Sequence, residues 1–249
     1  MSHLLYLSVL PSIVIGFLIY KADKVEKEPK KELMKAFLLG LFAVVVTLII
    51  SYSLGVQTIR QETLDVVGKF FYNFLGIALI EEFSKWLCTY FFIRKNKNFN
   101  YLFDGIVYAV FVSLGFATIE NILYALTGGT MVAIIRAITT VPSHAFYAVF
   151  MGYYLSHFKK EKKFSSLILS IMIPVILNGT FDFLLSFQKM SFLLIFLLFV
   201  VVLYVISFQR IKKSMLEEES FKEKKVLSCN NCGENGTGNY CVHCGTKLI

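Results

Sequence analysis

Charge is scarce in this chain: 17% of its 249 residues are Asp, Glu, Lys or Arg, against 56% hydrophobic. That balance excludes an ordinary soluble globular domain and is typical of a membrane protein. The start Met1-Ser2-His3 lacks basic residues, and no small-x-small site follows Tyr20, so the first apolar run reads as a retained helix rather than a cleaved signal peptide. Cysteine is missing before residue 229 except at Cys88, which reads as a small buried apolar residue. Internal repeats and low-complexity tracts are absent. So are an H-E-x-x-H motif and any Ser-His-Asp or Cys-His arrangement within the apolar runs, which leaves glutamate-driven hydrolysis as a better fit than covalent catalysis.

What is present is length without charge. Apolar stretches at 4–20, 33–54, 70–93, 101–126, 131–155, 164–187 and 192–208 each reach the roughly 17 to 25 residues a transmembrane helix needs, and the mean hydropathy is +0.65. The expected fold is therefore an all-α polytopic membrane protein of about seven helices. Lys and Arg sort by loop, 19 on the first, third and fifth loops and the tail against 3 (Arg60, Lys69 and Lys189) between them. This places the N-terminus outside and the C-terminus in the cytoplasm. The net charge of +8 thus reports orientation, and no nucleic-acid partner is expected.

Glu81 and Glu82 stand side by side in the middle of the third run. A carboxylate at membrane depth costs about 2.5 to 3.5 kcal/mol on insertion scales, so a pair of them points to a buried hydrophilic site rather than to packing. Lys85, one helical turn on, can pair with either. Glu120, Asn121, Arg136, His144, Asn178 and Asp182 share the membrane with them. Counting along the helices puts Glu81, Glu82, His144 and Asn178 near mid-depth and Glu120, Arg136 and Asp182 nearer the outer side. Asp104 falls at a helix end and reads as interfacial or as a cap. Arg136, Thr140 and His144 lie on one stripe, as do Asn178 and Asp182. Such groups can glue helices together or act on a substrate. Here a glutamate can serve as base toward water, an imidazole or second carboxyl can protonate a leaving amine, and an Asn amide can hold an oxyanion. Pro142 and Pro174 fall inside the fifth and sixth runs, where a kink is expected.

The tail has a different composition. A charged linker, 209–226, precedes a module at 227–249 in which Cys229, Cys232, Cys241 and Cys244 form two C-x-x-C knuckles, each followed by Gly. That spacing reads as a structural Zn2+ ribbon with His243 outside the ligand set, closed to chemistry and suited to docking a cytoplasmic protein partner. The reducing cytoplasm argues against disulfides.

The strings Glu81-Glu82-Phe83-Ser84-Lys85-Trp86, Asp104-Gly105-Ile106-Val107-Tyr108, Gly115-Phe116-Ala117-Thr118-Ile119-Glu120-Asn121, Ser143-His144-Ala145 and Met151-Gly152-Tyr153-Tyr154 occur in order on successive helices. Together they resemble the PrsW family of intramembrane proteases, a relative of the CAAX prenyl endopeptidases, over residues 1–208. The resemblance implies a glutamic-type endopeptidase of the bacterial cell membrane that cuts membrane-anchored proteins such as an anti-sigma factor. By it Glu81 and Glu82 would activate water, Glu120 and His144 would line the same site, and no cofactor is expected there. One string departs: the family usually reads His-Gly-Ser/Thr-aromatic-Asp where this chain has Asn178-Gly179-Thr180-Phe181-Asp182. Asn cannot shuttle a proton. Either His144 supplies that function or the protein binds clients without cutting them. A proton-coupled transporter built on the same groups is a third, weaker reading.

Overall fold

The computed structural model describes residues 2–187, 189–224, 227–228, 230–236, 243–244 and 246. Among them the chain is a bundle of α1 Ser2–Ala22, α2 Lys30–Ser53, α3 Val66–Phe71, α4 Leu79–Lys95, α5 Leu102–Ile138, α6 Thr140–Glu161, α7 Phe164–Leu185 and α8 Met190–Lys224. A two-residue hairpin in the tail pairs β1 Leu227–Ser228 antiparallel with β2 Asn235–Gly236. Long apolar side chains such as Phe17, Ile49, Leu194 and Leu198 lie exposed on the outside, as expected where lipid replaces water as solvent.

By length and apolarity, five described helices can cross a membrane: His3–Ala22, Lys30–Ser53, the stretch Leu102–Glu161, Phe164–Leu185 and Met190–Glu219. The expectation of seven differs in two places. Leu102–Glu161 contains a reversal at Gly129, whose φ of 76° only glycine adopts freely, and Arg136 beyond it lies back against Glu120 and Asn121. The run 70–93 belongs to a helical segment from Val66 to Lys95 that is interrupted by a π-helical turn, Tyr72–Ala78, and made less apolar by Glu81, Glu82 and Lys85. Pro142 sits in the first turn of α6, just after the break between α5 and α6 at Thr139, and the carbonyl of Ile138, four residues before it, accepts from the Tyr204 hydroxyl at 2.7 Å; Pro174 is inside α7. The charged segment after Phe208 continues α8 as far as Lys224.

The first arm of α5 is the hub, buried almost throughout from Phe103 to Thr118. Small residues let its neighbours approach backbone to backbone. A Cβ on Gly40 of α2 would strike the carbonyl of Val112, and one on Gly152 of α6 would strike that of Gly105. Gly179 does the same for α7, since a Cβ there would lie 2.6 Å from the Phe74 ring in the π-helical turn. That approach draws Asn178 toward α4.

Candidate functional site

α4 opens with Glu81 and Glu82, and Lys85 follows one turn later. Lys85 Nζ donates to Glu82 Oε1 at 2.5 Å, with both side chains about 1% exposed, so of the two pairings the sequence allows it makes the one with Glu82. Burial makes this pairing obligatory, because either charge alone would be desolvated without compensation. The same ammonium lies 3.1 Å from His144 Nδ1 and 4.6 Å from the centre of the Phe116 ring.

These contacts fix the imidazole. An ammonium can only donate, so His144 Nδ1 accepts and the ring proton resides on Nε2. Nε2 in turn donates to Glu120 Oε2 at 2.8 Å. Arg136 Nη2 reaches the same oxygen at 3.0 Å, its Nε donates to Asn121 Oδ1 at 3.2 Å, and its guanidinium covers the Tyr124 ring. Glu120 and Arg136, expected nearer the outer side, are therefore in direct contact with the mid-depth groups. Asn178 closes the ring: its Nδ2 donates to Glu81 Oε2 at 3.1 Å and to Glu82 Oε1 at 3.0 Å.

A cavity of about 210 Å³ lies over this cluster, walled by Glu81, Glu120, Arg136, His144, Asn178 and Asp182 among others. Glu82 and Lys85 stand behind the wall. Asp104 is elsewhere, at the opposite end of its helix arm, where its carboxylate accepts from the backbone amides of Asn100 and Tyr101 as an N-terminal capping group. Of the expected zinc ligands, Cys229 and Cys241 lie outside the described residues, while Cys232 and Cys244 are exposed.

Three wall residues are not evident from sequence. Asn73, wholly buried in the π-helical turn, accepts from Gln61 Nε2 at 2.9 Å and donates to the carbonyl of Lys69 at 2.7 Å. As a polar residue within the apolar run 70–93, it carries a detectable signal. Gln61 comes from a loop and carries none. Tyr147, three residues after His144 on the same helix face, brings a buried hydroxyl without a hydrogen-bond partner to the cavity.

Glu81, Glu120 and His144 present donor atoms that all lie within 4.8 Å of one another. Two carboxylates and an imidazole are a donor set found in hydrolytic metal sites, and four carboxylates (Glu81, Glu82, Glu120, Asp182) here face only two fixed cations, Lys85 and Arg136. The residues thus fit a divalent ion, although the His144 Nε2 hydrogen bond to Glu120 and ligation by that nitrogen are alternatives.

Apolar helices around a polar cavity that holds paired carboxylates, an imidazole and a carboxamide define a membrane-embedded hydrolase. Residues 28–208 match the family described as PrsW family intramembrane metalloprotease, and the chain belongs to that family. Protease PrsW of Oceanobacillus iheyensis is 36% identical over 216 residues, covering 86% of this chain and 97% of that protein. Protease PrsW of Geobacillus kaustophilus is 38% identical over 187 residues, 74% of this chain and 80% of its own. Protease PrsW of Bacillus subtilis is 33% identical over 209 residues, 83% and 93% respectively. No solved structure matches the chain.

Proposed function

We propose that this protein is an endopeptidase that hydrolyses membrane-anchored proteins at the cavity over Glu81, with seven membrane crossings, the N-terminus outside and the cut made near the outer face. The observation that carries this reading is the convergence of Glu81, Glu120, His144 and Asn178, from four helical segments, on one cavity inside an apolar bundle. A single-pass anti-sigma factor is the client class that the family resemblance suggests.

The two adjacent glutamates divide the labour. Glu82 is held by Lys85 and Asn178 behind the wall and acts as a positioning residue. Glu81, anchored only by Asn178 and open to the cavity, takes the proton from water as that water attacks the scissile carbonyl. His144 carries its proton on the nitrogen that faces Glu120 and can pass it to the leaving amine as Nδ1 takes one from the Lys85 ammonium, so the ring stays neutral, and the proton that Glu81 took from water then restores Lys85. Arg136 and the Tyr147 hydroxyl are the donors left for an oxyanion, since both hydrogens of the Asn178 amide point to carboxylates. Asn178 thereby keeps the two glutamates in place without shuttling a proton. If an ion is resident, Glu81, Glu120 and His144 would hold it and it would supply Lewis-acid activation of water.

The test is co-expression of the wild type and the Glu81→Gln/Glu82→Gln double variant, with comparison of the membrane proteomes. Single-pass proteins shortened only by the wild type support the reading. A client that co-purifies uncut from both favours the binding-only alternative, which the Asn178 departure from the family motif motivates.

For the tail we propose a Zn2+ ribbon held by Cys229, Cys232, Cys241 and Cys244 that docks a cytoplasmic partner. The hairpin of β1 and β2 encloses the first knuckle, and Gly233 takes the positive φ of 74° that a tight knuckle turn needs. One zinc per chain, lost in Cys232→Ser, is the expected stoichiometry.

A further inference from the structure

A second cavity, of about 230 Å³, lies where α4 and α6 both end. α4 contributes Tyr90, Ile93 and Arg94 to its wall; α6 contributes Leu155 and Lys159, with Lys162 at its C-cap. Three cations thus meet beside the buried apolar pair Ile93 and Leu155. No carboxylate is among the wall residues. Glu161, next to Lys162 in sequence, is already engaged with His157 at 2.8 Å and Lys163 at 2.7 Å. Among the described residues neither Arg94 nor Lys162 has an ion-pair partner.

Two of these cations are set in place by the main chain. Lys159 Nζ donates to the main-chain oxygens of Ile93 at 2.7 Å and Asn96 at 3.3 Å, so it ties off the end of α4 and keeps one of its three N–H groups for a ligand. Lys162 is the one described residue other than glycine with a positive φ, 59°. Lysine takes that left-handed conformation at a cost that glycine avoids, in a helix-ending position where glycine is the usual choice. The cost places a second ammonium at a cavity that already holds Lys159 and Arg94, and such a concentration of one sign attracts an anion.

The apolar side of the cavity selects which anion. Tyr90 lies 6.3 Å from the Phe158 ring of α6, stacks on Trp86 at 5.1 Å, and Trp86 stacks on Phe83 at 6.0 Å. This row leads from the cavity along α4 toward Phe83, which is exposed on the outside of the bundle. A soluble phosphate has no use for such a row, whereas a phospholipid lays an acyl chain on it while aromatic rings and basic groups hold its headgroup. The volume suits one headgroup rather than a length of peptide. We propose that Arg94, Lys159 and Lys162 bind the phosphodiester of an anionic phospholipid, with an acyl chain along Tyr90, Trp86 and Phe83. In the orientation proposed above this is a lipid of the cytoplasmic leaflet. It holds the end of α4 against α6 and so braces the helix that carries Glu81 and Glu82.

The experiment uses the full chain, delipidated in a neutral detergent. It is titrated with phosphatidylglycerol, with phosphatidylcholine of the same chains, with inorganic phosphate and with an oligoglutamate peptide. Thermal unfolding and native mass spectrometry are the readouts, and neither requires proteolysis. Phosphatidylglycerol is expected to raise Tm saturably by at least about 3 °C and to remain as one lipid per chain, with the other probes inert. Arg94→Gln/Lys162→Gly should weaken that binding at least about 10-fold. Without lipid this variant should melt within about 2 °C of the wild type, because Arg94 is exposed and relief of the positive φ offsets the added freedom of glycine. Lys21→Gln/Lys24→Gln removes two exposed cations outside the cavity and should bind as the parent does. Absence of binding, equal effects of the two lipids, or an equal loss in both double variants overturns the inference. An equal response to inorganic phosphate overturns it in favour of a soluble anion, and preference for oligoglutamate overturns it in favour of an acidic protein partner. Should Arg94→Gln/Lys162→Gly fail to fold, Lys162→Gly alone is read, with a loss of at least about 3-fold expected.

Discussion

Two buried polar clusters lie on the same α5 arm, 16 positions apart between Asp104 and Glu120, and they differ in how their carboxylates are partnered. At about 1.5 Å per residue the separation is about 24 Å. The cluster around Glu120 mixes signs: Lys85 joins Glu82 to His144, Arg136 joins Glu120 to Asn121, and Asn178 ties two carboxylates together. Around Asp104 the carboxylates meet main-chain and hydroxyl donors: Asp104 accepts from the amides of Asn100 and Tyr101, and Glu28 from the Tyr108 hydroxyl. The difference separates two uses of buried charge. Ion pairs set the side chains around the cavity in one geometry, as chemistry there requires. Main-chain and hydroxyl donors instead tie a carboxylate to a helix end, as a cap does.

The largest effect should come from removing the one carboxylate that is both open to the cavity and lightly tethered. Glu81→Gln keeps the shape and an acceptor for Asn178 while deleting the base, so cleavage of a co-expressed client should fall by at least about 100-fold. Tm should change little. A comparable loss of both activity and fold would mean that Glu81 belongs to the framework, as Glu82 does.

Next in size is a change that converts one cluster into the other. Lys85→Met leaves Glu82 buried and unpaired and removes the donor that sets the His144 tautomer. A destabilisation of about 3–5 kcal/mol is expected, read as a lower midpoint on denaturation in detergent. Adding Glu82→Gln should recover most of it. Failure of the double variant to recover would show that Lys85 matters through its packing on Phe116 rather than through charge.

These effects also show what could be read from sequence. Glu81, Glu82, His144 and Asn178 stand out because each is a polar residue in a run that otherwise suits lipid, where the cost of burial makes it conspicuous. Asp23, Glu28 and Glu218 do not, since all three lie among charged flanking residues where another carboxylate looks solvated; only the fold reveals that they are buried. Helix interiors were legible from length and apolarity alone. Breaks were less so. The π-helical turn and the reversal at Gly129 depend on how segments pack back on each other, and at Pro142 the expected kink takes the form of a full helix break at Thr139. The division between Glu82, paired, and Glu81, open, could not be read either, because Lys85 is geometrically within reach of both.

A smaller effect is expected at Asn178. Asn178→Ala removes two hydrogen bonds to carboxylates and should lower cleavage by about 10-fold while leaving the pairing of Lys85 with Glu82 intact. Asn178→His restores the residue usual in the family. Its ring can donate to only one of the two carboxylates at a time, so its activity should lie between that of Ala and that of Asn if holding both is what matters. Activity above the parent would instead show that a proton donor is wanted here and that His144 does not supply it alone.

The smallest effect concerns the rim of the cavity, where neither rule of charge applies. Gln61 spends its amide hydrogen on Asn73 and so keeps its carbonyl oxygen as a free acceptor beside the wall. An extended client passing the rim presents main-chain N–H groups, and one such contact contributes about 0.5–1.5 kcal/mol. Gln61→Leu should therefore raise KM about 2- to 10-fold with kcat unchanged, because the contact is made equally before and during the reaction. Asn73→Leu strikes deeper, since Asn73 also ties off the Lys69 carbonyl within the π-helical turn that leads into α4. A fall in kcat for Asn73→Leu beside a KM effect alone for Gln61→Leu would assign the turn to positioning Glu81 and the rim to holding the client. Equal falls in kcat for both would mean that the loop acts only by bracing the turn.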